Sequence, residues 1–227
     1  MTQKISTAMV LAAGLGRRLR PLTDTTPKPL IQVNGRALID YNLDLVRVAG
    51  IQDVTVNCHY LADQIEAHVQ QITDLDIHLS DERGELLETG GGVQKALPLL
   101  GRNPFVVLNS DVIVKNQDTS SLKQLMAAWD GDQMDILMLL QSTDTATGYD
   151  GRGDYILMDD GQLQRPEPDA TAPFIFAGIQ IVNPDLFDGL PAGAFSMNAL
   201  FDKAAAAGRV CGFVDVGLWV HVGAEEA

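Results

Sequence analysis

The chain has 227 residues, 46% hydrophobic and 20% charged, which excludes a disordered or fibrous protein and leaves room for a substantial core. A formal net charge of −14 excludes broad binding to nucleic acid or to anionic membrane, since both need a basic footprint. One domain over residues 1–227 is expected.

Met1 to Gly14 carries an apolar stretch of only about six residues, too short for a signal peptide or a membrane span, so a cytoplasmic location is expected. Ala8 to Ala13 reads as a strand buried on both faces, closed by Gly14. Leu38, Tyr41, Leu45 and Val48 recur at helical spacing and Gly50 supplies a stop, which predicts a helix over 37–48. Strands at 53–57 and 76–80 flank a helix at 62–72. A helix at 92–100 then leads into the strongly apolar Phe105 to Asn109. The alternation is β-α-β-α-β-α-β, the pattern of an α/β protein with a mainly parallel sheet flanked by helices. A helix at 120–129 and a strand at 136–141 follow. Tyr155 to Met158 with Asp159-Asp160-Gly161 signals a hairpin, and Phe174 to Val182 is a further strand. These antiparallel additions are expected to form a lid over the sheet edge. A helix at 197–207 and strands at 210–214 and 218–222 finish the chain. Cys58 and Cys211 sit in apolar, strand-like surroundings without metal-type spacing and are read as reduced core residues.

The segment Leu11-Ala12-Ala13-Gly14-Leu15-Gly16-Arg17-Arg18-Leu19-Arg20-Pro21-Leu22-Thr23, followed by Pro27-Lys28-Pro29-Leu30, carries the strongest chemical signal. Small residues and two glycines after a buried strand let backbone amides approach a phosphate or a flat base, and Arg18 and Lys28 can neutralise a triphosphate. Neither commoner phosphate motif fits: the P-loop needs G-x-x-x-x-G-K-[ST], and the dinucleotide pattern needs a third glycine where Leu19 stands. Asp111, just beyond an apolar strand, lies where open α/β sheets bind ligands and is a Mg²⁺ ligand candidate. Taken alone, the basic cluster could be a solvated turn and Asp111 a turn former.

Together these segments closely resemble the signature of the sugar-1-phosphate nucleotidyltransferases, G-x-G-x-R-L-x-P-L-T with a downstream P-K-P-L. The resemblance implies a Rossmann-like fold of the nucleotide-diphospho-sugar transferase type, with an antiparallel sugar-binding lid. Residues 1–115 would mainly bind nucleotide, and 116–227 would supply the sugar site and second metal region. It implies that Leu11, Ala12, Ala13, Gly14 and Gly16 take the nucleotide, Arg18 the leaving pyrophosphate, and Lys28 the phosphates near the reacting centre. Leu87-Glu88-Thr89-Gly90-Gly91-Gly92 is similar to the family's L-G-T-A-G base-recognition segment, giving Thr89 and Gly90 to the nucleotide, with Glu88 in place of the usual glycine. Glu82 is a candidate acceptor for a base N–H.

Asn109-Ser110-Asp111 resembles the family's N-G-D or N-A-D metal motif. The late W-x-D-V-G-T motif reads Trp219-Val220-His221-Val222-Gly223-Ala224, with His221 in the metal position and Ala224 in place of Thr. His221 could ligate directly, hold a metal-bound water, or leave the missing charge to Asp215. Mg²⁺ is the implied cofactor, and Mn²⁺ the alternative that an imidazole ligand suits better. Sugar-site candidates are Asn109, Gly151 in its Gly-rich loop, Gly178, Asn198, and Arg165 where relatives carry an E-K-P lysine.

Within the family, the E-T-G-G-G, F-S-M-N and G-L-W-V-H-V-G runs are most similar to the branch that uridylylates N-acetylmuramic acid 1-phosphate. That implies UTP and this sugar 1-phosphate as substrates. Guanylyl transfer to mannose 1-phosphate and cytidylyl transfer are alternatives, and a non-catalytic sugar-nucleotide sensor is the alternative from another class. The implied reaction is in-line attack of the sugar phosphate on the α-phosphorus of the triphosphate, without a protein nucleophile. No protein partner is implied.

Overall fold

The computed structural model describes residues 4–115 and 120–223. In chain order the strands and helices are β1 (Thr7–Leu11), β2 (Gln32–Val33), β3 (Arg36–Ala37), α1 (Leu38–Ala49), β4 (Asp53–Cys58), α2 (Ala62–Val69), β5 (Asp76–Asp81), α3 (Glu88–Leu100), β6 (Phe105–Asn109), β7 (Val112–Lys115), α4 (Ser121–Ala128), β8 (Ile136–Ser142), β9 (Ile156–Leu157), β10 (Leu163–Gln164), β11 (Phe174–Val182), α5 (Asn198–Ala206), β12 (Val210–Val214) and β13 (Leu218–His221).

Seven strands form one sheet in the order β12-β8-β11-β6-β1-β4-β5. The pairs β6/β1, β1/β4, β4/β5 and β12/β8 are parallel, while β11 runs antiparallel to both β6 and β8. Both faces of the sheet are covered. Ile39, Leu43 and Val46 of α1, Ile65 of α2 and Leu122 and Leu125 of α4 pack on one side, together with Ala8 and Val10. Val93 and Ala96 of α3 and Leu200 and Phe201 of α5 pack on the other, together with Met9. This explains why β1 reads as a continuous apolar run: successive side chains enter different cores.

The antiparallel additions divide in two. The β9/β10 hairpin and a β7/β13 ribbon stand outside the main sheet. Strand β11 instead lies within it, its pairing interrupted between Phe176 and Gln180, where Gly178 has φ +79°. Gly178 packs closely on Asn109 and Val112, and a Cβ there would approach Val112 Cγ2 to 3.0 Å.

Helix α3 begins at Glu88, four residues before the expected start, and takes Gly90, Gly91 and Gly92 into its first turns. Glycine is a poor helix former, so local propensity hides this turn. A distant segment stabilises it: the N–H groups of Gly90 and Gly91 both donate to the Phe195 carbonyl, at 2.8 and 3.0 Å.

Cys58 and Cys211 are buried free thiols. Among the described residues, no helix is long and apolar enough to cross a membrane.

Candidate active site

The chain leaves β1, β4 and β6 at the same edge of the sheet, where loops from neighbouring parallel strands diverge and α/β proteins make their ligand crevices. A cleft of about 430 Å³ opens there. Leu11, Ala13 and Gly14 line it together with Lys28 and Pro29. Asn109, Ser110 and Asp111, with Asn57, Leu86, Glu88, Thr89 and Ser196, complete the lining.

Side-chain bridges hold the strand ends in register. The Ala12 N–H donates to Asn57 Oδ1 at 2.7 Å, which ties the glycine turn to β4. Ser110 Oγ donates to the Leu11 carbonyl at 2.6 Å, which ties it to β6. Asn57 Nδ2 in turn donates to Glu82 Oε1 at 2.8 Å. Burial pushes the Glu82 carboxyl above the ordinary range, against the opposing pull of Asn57 and the Leu87 amide. Glu82 therefore stands behind Asn57, 1% exposed, and does not present its carboxylate to the cleft as a base reader would.

The two glycines of the turn differ. Gly14 is exposed, with no other atom within 4 Å of where its Cβ would be. Gly16 has φ +61° and packs on Thr23, whose hydroxyl donates to the Gly16 carbonyl at 2.8 Å. It shapes the turn that carries Lys28 and does not line the cleft.

Lys28 is 13% exposed, and its Nζ lies 2.9 Å from Asp111 Oδ2. His221 Nε2 lies 3.9 Å from the same oxygen. Burial of the Asp111 carboxyl opposes its ionisation, yet the neighbouring imidazole and ammonium groups hold its pKa well below the usual carboxylate range.

The ribbon delivers His221: it pairs with Val112, and the Val222 N–H donates to the Asp111 carbonyl at 2.9 Å. The imidazole stacks on Trp219, with centroids 6.0 Å apart and an interplanar angle of 15°. Trp219 is anchored by Nε1 donating to the Ala177 carbonyl at 3.0 Å. A Cβ on Gly223 would fall 2.1 Å from His221 Cε1, so glycine is needed beside the ring. Ala224 lies outside the described residues.

Asp215 is engaged elsewhere, accepting from Ser121 Oγ at 2.9 Å and from the Val216 N–H at 3.1 Å. Among the described residues, no group of three or more His, Cys, Asp or Glu gathers as a metal cage. Asp111 and His221 offer one oxygen and one nitrogen donor. The Asp111 carboxylate fits Mg²⁺, which commonly takes one or two carboxylates and completes its shell with substrate phosphates and water, while the imidazole donor suits Mn²⁺ better.

Residues 7–160 match the family described as Nucleotidyl transferase. The chain belongs to the nucleotidyl transferase family. Over its full length it is 42% identical to N-acetylmuramate alpha-1-phosphate uridylyltransferase of Caulobacter vibrioides, covering 96% of that protein. It is 36% identical to the protein of the same name from Neisseria meningitidis serogroup B, over 95% of this chain and 92% of that one. HddC from Yersinia pseudotuberculosis superimposes with a TM-score of 0.78 at 21% identity, over 98% of this chain and 96% of the other. A UDP-glucose pyrophosphorylase complexed with UDP-glucose gives a TM-score of 0.76 at 17% identity, over 97% and 94%. The last two share the fold.

In this nucleotidyl transferase the cleft brings together Leu11, Ala13, Gly14, Lys28, Thr89, Asn109 and Asp111 of the sequence-selected residues, with His221 against Asp111. Ala12 and Gly90 are buried behind it, their amides given to Asn57 and Phe195. Arg18 is exposed on a one-turn 3₁₀ segment and is not among the lining residues.

Gly151, Gly178 and Asn198 do not line the cleft either. A Cβ on Gly151 would meet the Tyr149 ring, and Gly178 is the glycine of the β11 irregularity. Asn198 accepts from Arg165, which also pairs with Asp202 at 3.2 Å and lies over the Tyr155 ring. Arg165 is therefore occupied outside the cleft.

Sequence reasoning passed over Asn57 and Ser196. Asn57, a polar residue near the end of an apolar strand, carried a readable signal. Ser196 lay within the F-S-M-N run that carries the resemblance, but its place in the cleft depends on the fold of a distant loop.

Proposed function

We propose that this chain transfers UMP from UTP to N-acetylmuramic acid α-1-phosphate, giving the UDP-sugar and pyrophosphate. The observation that carries this reading is the Lys28–Asp111 pair in a cleft that the glycine turn also lines, in a chain similar end to end to two uridylyltransferases of that name. An oxygen of the sugar phosphate attacks the α-phosphorus. The bond from that phosphorus to the bridging oxygen of the β-phosphate breaks, and the electron pair leaves with pyrophosphate.

Such a transfer depends on positioning and on charge neutralisation. In this reading Gly14 lets the triphosphate approach the backbone, and Lys28 stabilises charge gathering on the departing pyrophosphate. Arg18, exposed beside the turn, meets the outer phosphates. Asp111 and His221 would hold a divalent cation, which when bound supplies electrostatic stabilisation of the phosphates. Gly151, Gly178 and Asn198 are assigned to shaping the walls around the sugar. The nucleotide is held mainly by residues 1–115 and the sugar mainly by 116–227 of a single domain. A cytoplasmic site of action belongs to the same proposal and accords with two buried free thiols.

Pyrophosphate release tests this with purified protein, UTP, CTP, GTP and ATP against a panel of sugar 1-phosphates, with and without Mg²⁺ and with a chelator. Turnover with UTP and N-acetylmuramic acid 1-phosphate that chelation abolishes is expected. Preference for GTP with mannose 1-phosphate would overturn the assignment, and tight nucleotide binding without turnover would replace an enzyme by a sensor.

A further inference from the structure

The loop before α5 lies as a strap across the first turn of α3. The Gly90 and Gly91 amides donate to the Phe195 carbonyl, and the Phe195 N–H donates to the Leu87 carbonyl at 3.1 Å. The Met197 N–H donates to Thr89 Oγ1 at 2.9 Å, and Gln94 Nε2 donates to the Leu190 carbonyl at 3.2 Å. The approach is too close for side chains. A Cβ on Gly90 would fall 2.4 Å from Phe195 Cε2, and one on Gly91 would fall 2.1 Å from the Gly193 carbonyl oxygen. The glycines of this run thus admit the strap.

Between Phe195 and Met197 the strap places Ser196 on the cleft wall beside Thr89. Both hydroxyls accept a backbone amide: Thr89 Oγ1 from Met197, and Ser196 Oγ from the Asn198 N–H at 3.2 Å. Neither donates to another group among the described residues. A hydroxyl with an accepted amide keeps its own proton to give, so the pair presents O–H donors to the ligand. Glu88, next to Thr89 in the chain, also lines the cleft, while the carboxylate of Glu82 is turned away toward Asn57.

We propose that Ser196 is a specificity-determining residue, donating with Thr89 to a carbonyl oxygen of the substrate. Such a carbonyl has two sources, the pyrimidine base and the 2-acetamido group of the sugar. The inference rests on the uridylyl-transfer reading for the identity of these ligands.

The test compares wild type, Ser196→Ala and Ser196→Thr in steady-state kinetics with UTP and N-acetylmuramic acid 1-phosphate, alongside melting temperature. Removing a hydrogen bond that a site is built to make is expected to raise KM for one substrate by about 5- to 50-fold, with kcat much less affected and the Thr variant restoring KM. A rise in KM for UTP assigns the base carbonyl. A rise in KM for the sugar phosphate that vanishes with the de-N-acetylated sugar 1-phosphate assigns the acetamido carbonyl. Calorimetric titration of UTP and of the sugar phosphate onto the same proteins reads Ser196 whether or not turnover occurs, so a failure of the functional reading stays separate. Unchanged KM and Kd for both substrates in Ser196→Ala, or a lowered melting temperature with unchanged affinities, would overturn the proposal.

Discussion

Lys28 and Asp111 stand 83 residues apart in the chain, and the Nζ of one lies 2.9 Å from the Oδ2 of the other. The contact joins the end of the glycine turn to the end of β6. Lys28→Ala is expected to lower kcat/KM by about 10²- to 10³-fold, the usual cost of removing a donor aimed at developing charge. Asp111→Ala is expected to lose at least as much, since it removes the proposed cation ligand as well. Pyrophosphate release from variants of unchanged circular dichroism checks this, and full activity in either would remove the basis of the mechanism.

Gly14 offers a separation of folding from binding. Because space is open where its Cβ would stand, Gly14→Ala is expected to leave the melting temperature unchanged. If phosphate or base rests against this backbone, the same methyl raises KM for UTP, by about tenfold for a lost close approach. Thermal melts and NTP saturation curves on one preparation decide the matter, and an unaffected KM would move the nucleotide away from the turn.

Glu88 occupies left-handed backbone, with φ +57°, at the position where the family motif carries glycine. A residue with a Cβ pays about 1 to 2 kcal/mol there. Glu88→Gly is expected to raise unfolding stability by about 1 kcal/mol once the extra freedom of glycine in the unfolded chain is counted. Urea denaturation measures it. A loss of stability would mean that the Glu88 side chain contributes more than its backbone costs.

The buried carboxyl of Glu82 gives a pH dependence of defined sign. Burial raises its folded pKa, so its contribution is fully present below the unfolded value of about 4.3 and is lost as pH rises through the folded one. Wild type should therefore lose stability relative to Glu82→Gln on going from about pH 4 to neutrality. Urea unfolding of both proteins across that range checks it. A wild type that gains on the variant instead would mean that Asn57 and the Leu87 amide outweigh burial.

Much of the scaffold was legible because it is buried on both faces. Phe105–Asn109, Phe174–Val182 and Val210–Val214 are strongly apolar stretches, with Gln180 the one polar residue in their interiors, and their ends in the sequence are their ends in the fold. Lys28, Gly14 and Asp111 were legible because the chemistry of the proposed reaction restricts residue type at fixed motif positions.

Features that depend on distant partners were not legible. The first turn of α3 reads as loop until Phe195 caps it, and β7 has no signal without β13 alongside. Glu82 reads as a candidate acceptor for a base N–H because nothing local announces that Asn57 will cover it. Asn198 stands outside the cleft lining while Ser196, two residues earlier in the same run, lies within it, a difference set by the strap's path.

The central place of β11 bears on how the protein is made. The outer edge of β6 can pair only after Phe174–Val182 has emerged, and β8 finds both its neighbours, β11 and β12, later still in the chain. During synthesis, the first strands can assemble while Ile136–Ser142 waits, apolar and unpartnered. A ribosome stalled before residue 174 would hold a nascent chain with a bare sheet edge, a substrate for chaperones rather than a working half-enzyme.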